Sequence, residues 1–288
     1  MPELPEVEAV RGQLEKFIVG HSITGVEVKY AKIFEGDSKK LIGAKIVRIR
    51  RFAKVLAIDL SNTYSILVQI KMTGQLIYRG LNLKNPKLST KVTGGLNGKH
   101  THLIIKLDKG GILYYNDVRK FGRIRVVKTS AVRKVGLVGK LGPEPPVVIQ
   151  SGQAVLTLEL FKEILSKSKR VVKVLLMDQA KISGIGNIYA NDALWYARVS
   201  PTRKADSLSG IEANSLYEAI VNVLRSGIEF GGASENAFVT PDGGEGKYQN
   251  HLLVYGKKNL LCKRCKKANI KRIDLGGRGT YFCPVCQK

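Results

Sequence analysis

Acidic residues are scarce in this 288-residue chain: 23 Asp and Glu stand against 48 Lys and Arg, a formal net charge of +25. The imbalance points to a polyanionic partner, because neutralising a row of phosphates releases counterions and steers encounter. Nucleic acid is the first such partner and an acidic membrane surface the second. Long apolar runs are missing as well. The longest are short pieces such as Val174-Leu175-Leu176-Met177, far below the ~18 residues that cross a bilayer, so no membrane segment is expected. The opening MPELPEVEAV is acidic and proline-bearing, unlike the basic and then apolar start of a secretory signal, which predicts a cytoplasmic, nucleoid-associated protein. Cysteine is sparse too: all four residues lie between Cys262 and Cys286, so they cannot staple the fold and must serve something local. Internal repeats and low-complexity tracts are absent.

What is present is 44% hydrophobic residues, enough for packed cores, in a length that corresponds to about two domains at roughly 150 residues each. From Glu6 to Gly20 the apolar residues Val7, Val10, Leu14, Phe17 and Ile18 recur at helical spacing, with Pro5 at the start and Gly20 at the end. Strand-like runs follow at Ser22–Tyr30, Lys45–Leu60, Tyr64–Tyr78, His102–Leu107, Ile112–Asn116 and Gly122–Lys128, and Asp108-Lys109-Gly110-Gly111 reads as a hairpin turn. Residues 1–133 are therefore expected to form a β-sandwich or barrel led by one helix. The Gly- and Pro-rich stretch 134–152 reads as an interdomain linker. Helical periodicity returns at Leu156–Lys167, Val171–Asp178, Asn187–Arg198 and Ser207–Phe230, giving a helical domain over 153–253. Within it, the Gly-rich and aperiodic 231–250 predicts a long mobile loop of the kind that carries function.

Two constellations carry chemistry. Cys262-Lys263-Arg264-Cys265 and Cys283-Pro284-Val285-Cys286 are paired CxxC knuckles, the pattern of a zinc ribbon over 254–288 that closes on one structural, tetrahedral Zn2+. A redox pair or disulfides are the other reading of such knuckles. Lys263, Arg264, Lys266, Lys267, Lys271, Arg272 and Arg278 surround them and suit a phosphate backbone; taken singly, most also fit a solvated basic face. The second constellation is the N-terminus. Removal of Met1 exposes Pro2, a secondary amine that titrates near pH ~8 and so is partly nucleophilic at neutral pH. The positive end of the following helix would depress that value further. Glu3 and Glu6 share one side of the first turn, where they can move protons or orient the amine. Prolines and acids also serve as caps at helix starts, so this pattern by itself fits either role.

The ordered set PELPEVE, Lys54 in RRFAKVL, KMTG at 71–74, KHTH at 99–102, YNDVRKFG at 115–122, LGPEP at 141–145, LLMDQAKISGIGNIYANDALW at 175–195, VYGKK at 254–258 and the terminal knuckles resembles the formamidopyrimidine-DNA glycosylase family from end to end. The related endonuclease VIII branch usually starts PEGPE, so Leu4 favours the branch for oxidised purines. The resemblance implies a multi-domain α and β fold: an N-terminal β-sandwich with a leading helix, a helix-two-turns-helix domain and a zinc ribbon. It implies a bifunctional glycosylase and apurinic/apyrimidinic lyase of base excision repair, a monomer acting on double-stranded DNA with oxidised bases and needing zinc but no redox cofactor.

By the same resemblance Pro2 attacks C1′ of the damaged nucleotide, Glu3 supplies a proton to the sugar with Glu6 in support, Lys54 serves β-elimination and Arg278 serves δ-elimination. Met72, Arg119 and Phe121 fill the space left by the extruded nucleotide, as exposed apolar side chains and a guanidinium at loop tips can. His100, Lys169, Lys173, Asn187 and Tyr255 become further DNA contacts, Asn187 at a glycine-bounded helix N-terminus facing phosphate. Departures from the family pattern are Gln69 for a histidine, Thr101 for an acid and Asp192 for a glutamate, each expected to bear on affinity or rate. An endonuclease VIII-like enzyme for oxidised pyrimidines, a catalytically silent DNA-binding protein and a zinc-ribbon RNA-binding protein are the competing readings. The last two account for the charge but not for a secondary amine beside carboxylates.

Overall fold

The computed structural model describes residues 1–83, 88–148 and 154–288, so the end of the expected linker, from 149, lies outside the described residues. The chain forms two compact units. One holds 1–140 together with Phe230–Gln249; the other holds 141–148, 154–229 and 250–288.

The first unit opens with α1 (Leu4–Ile18), whose buried stripe Leu4, Val7, Val10, Leu14 and Ile18 follows the expected period. Each such side chain removed from water contributes roughly 2 kcal/mol. The strands are β1 (Ile23–Val28), β2 (Phe34–Glu35), β3 (Ile46–Phe52), β4 (Val55–Leu60), β5 (Tyr64–Gln69), β6 (Gly74–Arg79), β7 (Thr101–Leu107), β8 (Ile112–Asp117) and β9 (Arg123–Lys128). They make one four-stranded sheet in the order β1-β7-β8-β6 and one five-stranded sheet in the order β2-β9-β5-β4-β3. A single core joins them: Ile23, Leu76, Leu103 and Leu113 of the first sheet, Ile49, Ile58, Ile66 and Ile124 of the second, and Leu14 of α1. A one-turn helix, α2 (Gly136–Gly139), follows β9.

Two expected strands are each two strands. Lys45–Leu60 is the hairpin of β3 and β4, closed between Phe52 and Val55 by Ala53-Lys54. Tyr64–Tyr78 breaks after Gln69 into β5 and β6, which belong to different sheets. Both turns place a non-glycine residue at positive φ, Ala53 at 51° and Lys71 at 59°, so neither carries the Gly or Pro by which a turn is recognised in a sequence.

Residues 230–249 are aperiodic, as expected, but they are tied to the β unit rather than set apart as a mobile loop. Ala233 N–H donates to Glu6, Gln75 Nε2 to Ala237 O (2.7 Å), and Asp242 N–H to Gln13 Oε1 (3.1 Å). Tyr78 N–H donates to Pro241 O at 2.7 Å.

The second unit contains α3 (Leu158–Ser166), α4 (Val172–Leu176), α5 (Asn187–Tyr196), α6 (Gly210–Glu229) and the hairpin of β10 (Lys271–Leu275) and β11 (Arg278–Phe282). Thr157 caps α3 through Leu160 N–H (3.2 Å), and Ser209 with Glu212 closes a reciprocal cap at the start of α6. Gly227 lets α6 approach α5, since a Cβ there would lie 2.5 Å from the Tyr189 ring. Among the described residues no helix is long and apolar enough to cross a membrane.

Candidate active site and nucleic-acid interface

In the β unit the N-terminus is held by backbone donors. Pro2 is buried while Met1 is exposed. Glu3 and Glu6 form a capping box at the head of α1, in which Glu6 Oε2 accepts the Glu3 N–H at 2.7 Å. The other oxygen, Oε1, accepts the Ala233 N–H, also at 2.7 Å. This second bond depends on Gly232, which sits at φ 83° and whose added Cβ would lie 2.8 Å from Glu6 Cγ. Glu6 thus joins the residue after Pro2 to the 230–249 segment. Capping and chemistry, left open as alternatives for these two acids, are compatible here: the cap fixes the main chain that carries the proline.

Lys54 stands at the tip of the β3–β4 hairpin and is buried. Its turn is anchored by Arg51, which donates from Nη1 to Ala53 O at 3.1 Å and from Nε to Glu8 Oε2 at 2.8 Å. Arg11 holds the other oxygen of Glu8 at 2.7 Å. Arg51 therefore links the Lys54 turn to α1, the helix that follows Pro2. Neither Arg51 nor Glu8 is singled out by the sequence, where Arg51 is one of several cations in RIRRFAK and Glu8 one acid among several.

Met72, Arg119 and Phe121 are brought together. Met72 is 40% and Phe121 50% exposed, an unusual condition for residues of this type. The Arg119 guanidinium lies 4.5 Å from the Phe121 ring centroid, and its Nη1 donates to Met72 Sδ at 3.2 Å. The two turns that carry them close on Tyr115 and Asp117. Added Cβ atoms at Gly74 and Gly122 would fall 2.5 Å and 1.7 Å from the Tyr115 hydroxyl, so the glycines of KMTG and RKFG serve close approach. Burial, with Asp117 adding to it, pushes the Tyr115 phenol far above its ordinary range. His100 is half-buried beside the same end of β8, its carbonyl accepting Asp117 N–H at 2.9 Å.

In the helical unit Lys169 and Arg278 are exposed and Tyr255 is half-buried, its ring 5.2 Å from Tyr281. Asn187 opens α5 directly after Gly186, and Lys173 is bonded to it. Lys173 is 0% exposed and donates to Asn187 Oδ1 (2.7 Å), Gly279 O (3.1 Å) and Thr280 Oγ1 (2.6 Å). Asn187 Nδ2 also donates to Gly279 O, at 3.1 Å. A buried ammonium requires such a set of acceptors, and this one fastens the strand that begins at Arg278 to α4 and α5. Gly276 and Gly277, at φ 56° and 70°, form the tight turn before Arg278. Asp192 is likewise structural. Buried in α5, it accepts the N–H groups of Leu253 (3.0 Å), Val254 (2.9 Å) and Tyr255 (3.1 Å).

The four cysteine sulfurs lie within 4.8 Å of one another, and among the described residues they are the one cluster able to hold a metal. Cys262 and Cys286 are 3.8 Å apart at sulfur, Cys265 and Cys283 3.7 Å. Disulfides are excluded by these separations, whereas four thiolates ~2.3 Å from a tetrahedral zinc stand about 3.8 Å apart. The donor set fits one structural zinc. Arg264, expected among the phosphate-facing cations, is turned inward: its guanidinium lies 4.0 Å over the Trp195 ring and donates to Trp195 O (2.7 Å) and Tyr196 O (3.1 Å) at the C-terminal end of α5. The Trp195 indole, in turn, packs against Cys262 and Cys283.

Three family models match in order: the formamidopyrimidine-DNA glycosylase N-terminal domain over 1–124, its H2TH domain over 141–239, and a zinc finger found in FPG and IleRS over 259–288. Formamidopyrimidine-DNA glycosylase of Lactococcus lactis subsp. cremoris is 37% identical over 100% of both chains. That of Pediococcus pentosaceus is 38% identical over 100% of this chain and 99% of its own. The chain belongs to the formamidopyrimidine-DNA glycosylase family. Among solved structures, Lactococcus lactis Fpg in complex with DNA containing N7-benzyl-Fapy-dG superposes with a TM-score of 0.85 at 36% identity, covering 100% of each chain. The MutM protein of Thermus thermophilus gives 0.84 at 34% identity, covering 99% of this chain and 98% of that one.

Proposed function

We propose that the protein is a bifunctional DNA glycosylase and apurinic/apyrimidinic lyase of base excision repair that removes oxidised purines such as 8-oxoguanine and formamidopyrimidines from double-stranded DNA. The observation that carries this reading is the N-terminus held through Glu6: a proline that becomes a secondary amine when Met1 is removed, fixed by Glu3 N–H and Ala233 N–H on one carboxylate. A protein that only binds DNA has no use for that arrangement.

In the proposed reaction the Pro2 nitrogen forms a bond to C1′ while the bond from C1′ to the purine breaks, the base leaving with the electron pair and taking a proton. Loss of the amine proton, and transfer of a proton from Glu3 to the ring oxygen, open the sugar and leave an iminium between Pro2 and C1′. The iminium acidifies C2′. Proton removal there expels the 3′-phosphate, with Lys54 as the proton carrier, and a second elimination expels the 5′-phosphate, gripped by Arg278. Water then releases the protein. Zinc holds the ribbon hairpin that presents Arg278 and takes no part in bond making.

Extruding a nucleotide costs a few kcal/mol, and Met72, Arg119 and Phe121 supply the side chains that fill the gap. Lys169, His100 and Tyr255 contact the DNA in this reading, while Lys173 and Asn187 act through the hairpin they fasten.

The test is excision from an 8-oxoguanine·cytosine duplex by Met-processed protein, with analysis of the strand ends. Cleavage leaving phosphate at both ends, and its loss in Pro2→Gly, is the expected result. Faster release of oxidised pyrimidines would move the protein to the endonuclease VIII side, and tight binding without excision would make it a binding protein.

A further inference from the structure

Asp117 ends β8 and is completely buried, yet nothing in the reaction uses it. All of its polar atoms are engaged, and its carboxylate holds the two turns that carry Met72, Arg119 and Phe121. Oδ1 accepts the Thr73 hydroxyl at 2.5 Å and the Arg119 N–H at 3.2 Å; Oδ2 accepts the Gly122 N–H at 2.8 Å and faces the Tyr115 hydroxyl at 3.4 Å. Thr73 Oγ1 also accepts the Arg119 N–H at 3.0 Å, which binds one turn to the other directly. The main chain of Asp117 is pinned as firmly, its N–H on His100 O (2.9 Å) and its carbonyl receiving the His102 ring N–H (2.7 Å).

A carboxylate can accept from both turns at once because it offers two oxygens and no donor. The turns gain little from their own residues: Lys71 and Lys120 sit at positive φ, 59° and 57°, a conformation that opposes the fold of each turn. One buried charge thus offsets the strain of two turns and fixes the spacing of the three exposed side chains.

We propose that Asp117 is the positioning residue that locks Met72, Arg119 and Phe121 into one rigid wedge before DNA arrives, so that duplex opening depends on it while the chemistry at Pro2 does not. The inference rests on the wedge role given above to those three side chains.

The experiment compares wild type, Asp117→Asn and Thr73→Val in three assays. The first is the rate of nucleotide extrusion from a duplex holding an uncleavable abasic analogue, read by 2-aminopurine fluorescence beside it. The second is kcat/KM on an 8-oxoguanine·cytosine duplex, and the third is cleavage of a single strand with an abasic site, which needs no opening. In Asp117→Asn the amide must turn a donor toward Gly122 N–H or toward Thr73 and Arg119, and extrusion and duplex turnover are expected to fall about 10- to 100-fold, the scale of losing a hydrogen bond to a charged group. Single-strand cleavage should stay within about twofold of wild type. Thr73→Val, which removes the hydroxyl's bonds to Asp117 and from the Arg119 N–H without touching the carboxylate, should show the same split at smaller size and keeps the test open if Asp117→Asn does not fold. Equal losses on duplex and single strand, or no loss of extrusion in either variant, would overturn the proposal. A wild-type protein that opens the duplex without cleaving it would sink the lyase reading and leave the wedge to be judged by extrusion alone.

Discussion

The two units hold their working segments by opposite chemistry. In the β unit the anchors are buried carboxylates that accept N–H groups: Glu6 at the N-terminus, Glu8 behind the Lys54 turn and Asp117 under the wedge. In the helical unit they are chiefly cations that donate to carbonyls, Lys173 on Gly279 and Arg264 on Trp195 and Tyr196, together with a metal site. Among the described residues seven of the 23 acids are buried but only three of the 48 cations. The positive excess at the surface is therefore larger than the composition alone conveys, because the acids are used inside, as acceptors for turns that must not move.

Metal removal should separate the two units most sharply. Binding free energies of about 10 kcal/mol or more are typical of structural zinc, so chelation is expected to unfold the ribbon hairpin and free Arg278 while the β-sandwich persists. Trp195 is the chain's single tryptophan and packs with Cys262 and Cys283, so a red shift of its emission that reverses on adding zinc back is the readout. An unchanged emission would contradict the assignment of Trp195 to the ribbon's core.

The carboxylate side of the comparison is broken by Arg51→Ala. It removes the Arg51 partner of buried Glu8 and the Arg51 bond to the Ala53 carbonyl, which should cost about 3 kcal/mol, the scale of removing one partner from a buried ion pair. Thermal unfolding measures this, and abasic-site cleavage should fall with it because the Lys54 turn loses its anchor. The matching change in the helical unit, Arg264→Ala, removes a ring contact and two carbonyl bonds at a half-buried site and should cost about 1–2 kcal/mol, with a shift in Trp195 emission as its signature.

The smallest effect expected is acid sensitivity at Asp59. Burial alone would raise its carboxyl, but hydrogen bonds from Arg50, Ser65 and Arg48 carry it below the usual carboxylate range. A depressed value means the unfolded chain binds the proton more readily, so this stabilisation is complete above the unfolded pKa of about 3.9 and is lost as pH falls through the lower folded value. Asp59→Asn should flatten that part of the stability profile of the β unit, and an unchanged acid limb would remove Asp59 from the account.

Much of this is legible in the sequence because it is written as period or spacing. The stripe of α1, the order of β strands before helices and the paired CxxC knuckles all follow from patterns within a short window. What escapes depends on partners far apart in the chain. Ala53 and Lys71 make turns without Gly or Pro, so two hairpin or sheet-crossing bends read as continuous strands. Lys173 and Asn187, expected as DNA contacts, also hold the hairpin through Gly279 and Thr280, partners about a hundred residues on that no local pattern reveals. Asp192, one of the departures expected to alter affinity or rate, proves to be a buried acceptor for the chain at 253–255. Asp117 lies inside the YNDVRKFG motif with no evident role, since nothing local reveals that its carboxylate joins two turns, one of them 44 residues away at Thr73.

The central claim is that the amine of Pro2, held through Glu6, is the nucleophile. Borohydride reduction during incubation of Met-processed protein with an 8-oxoguanine·cytosine duplex, followed by peptide mass mapping, tests it most directly. An adduct on the peptide beginning at Pro2, absent when Met1 is retained, is the predicted result; an adduct on Lys54 or on another lysine, with Pro2 unmodified, would contradict the account.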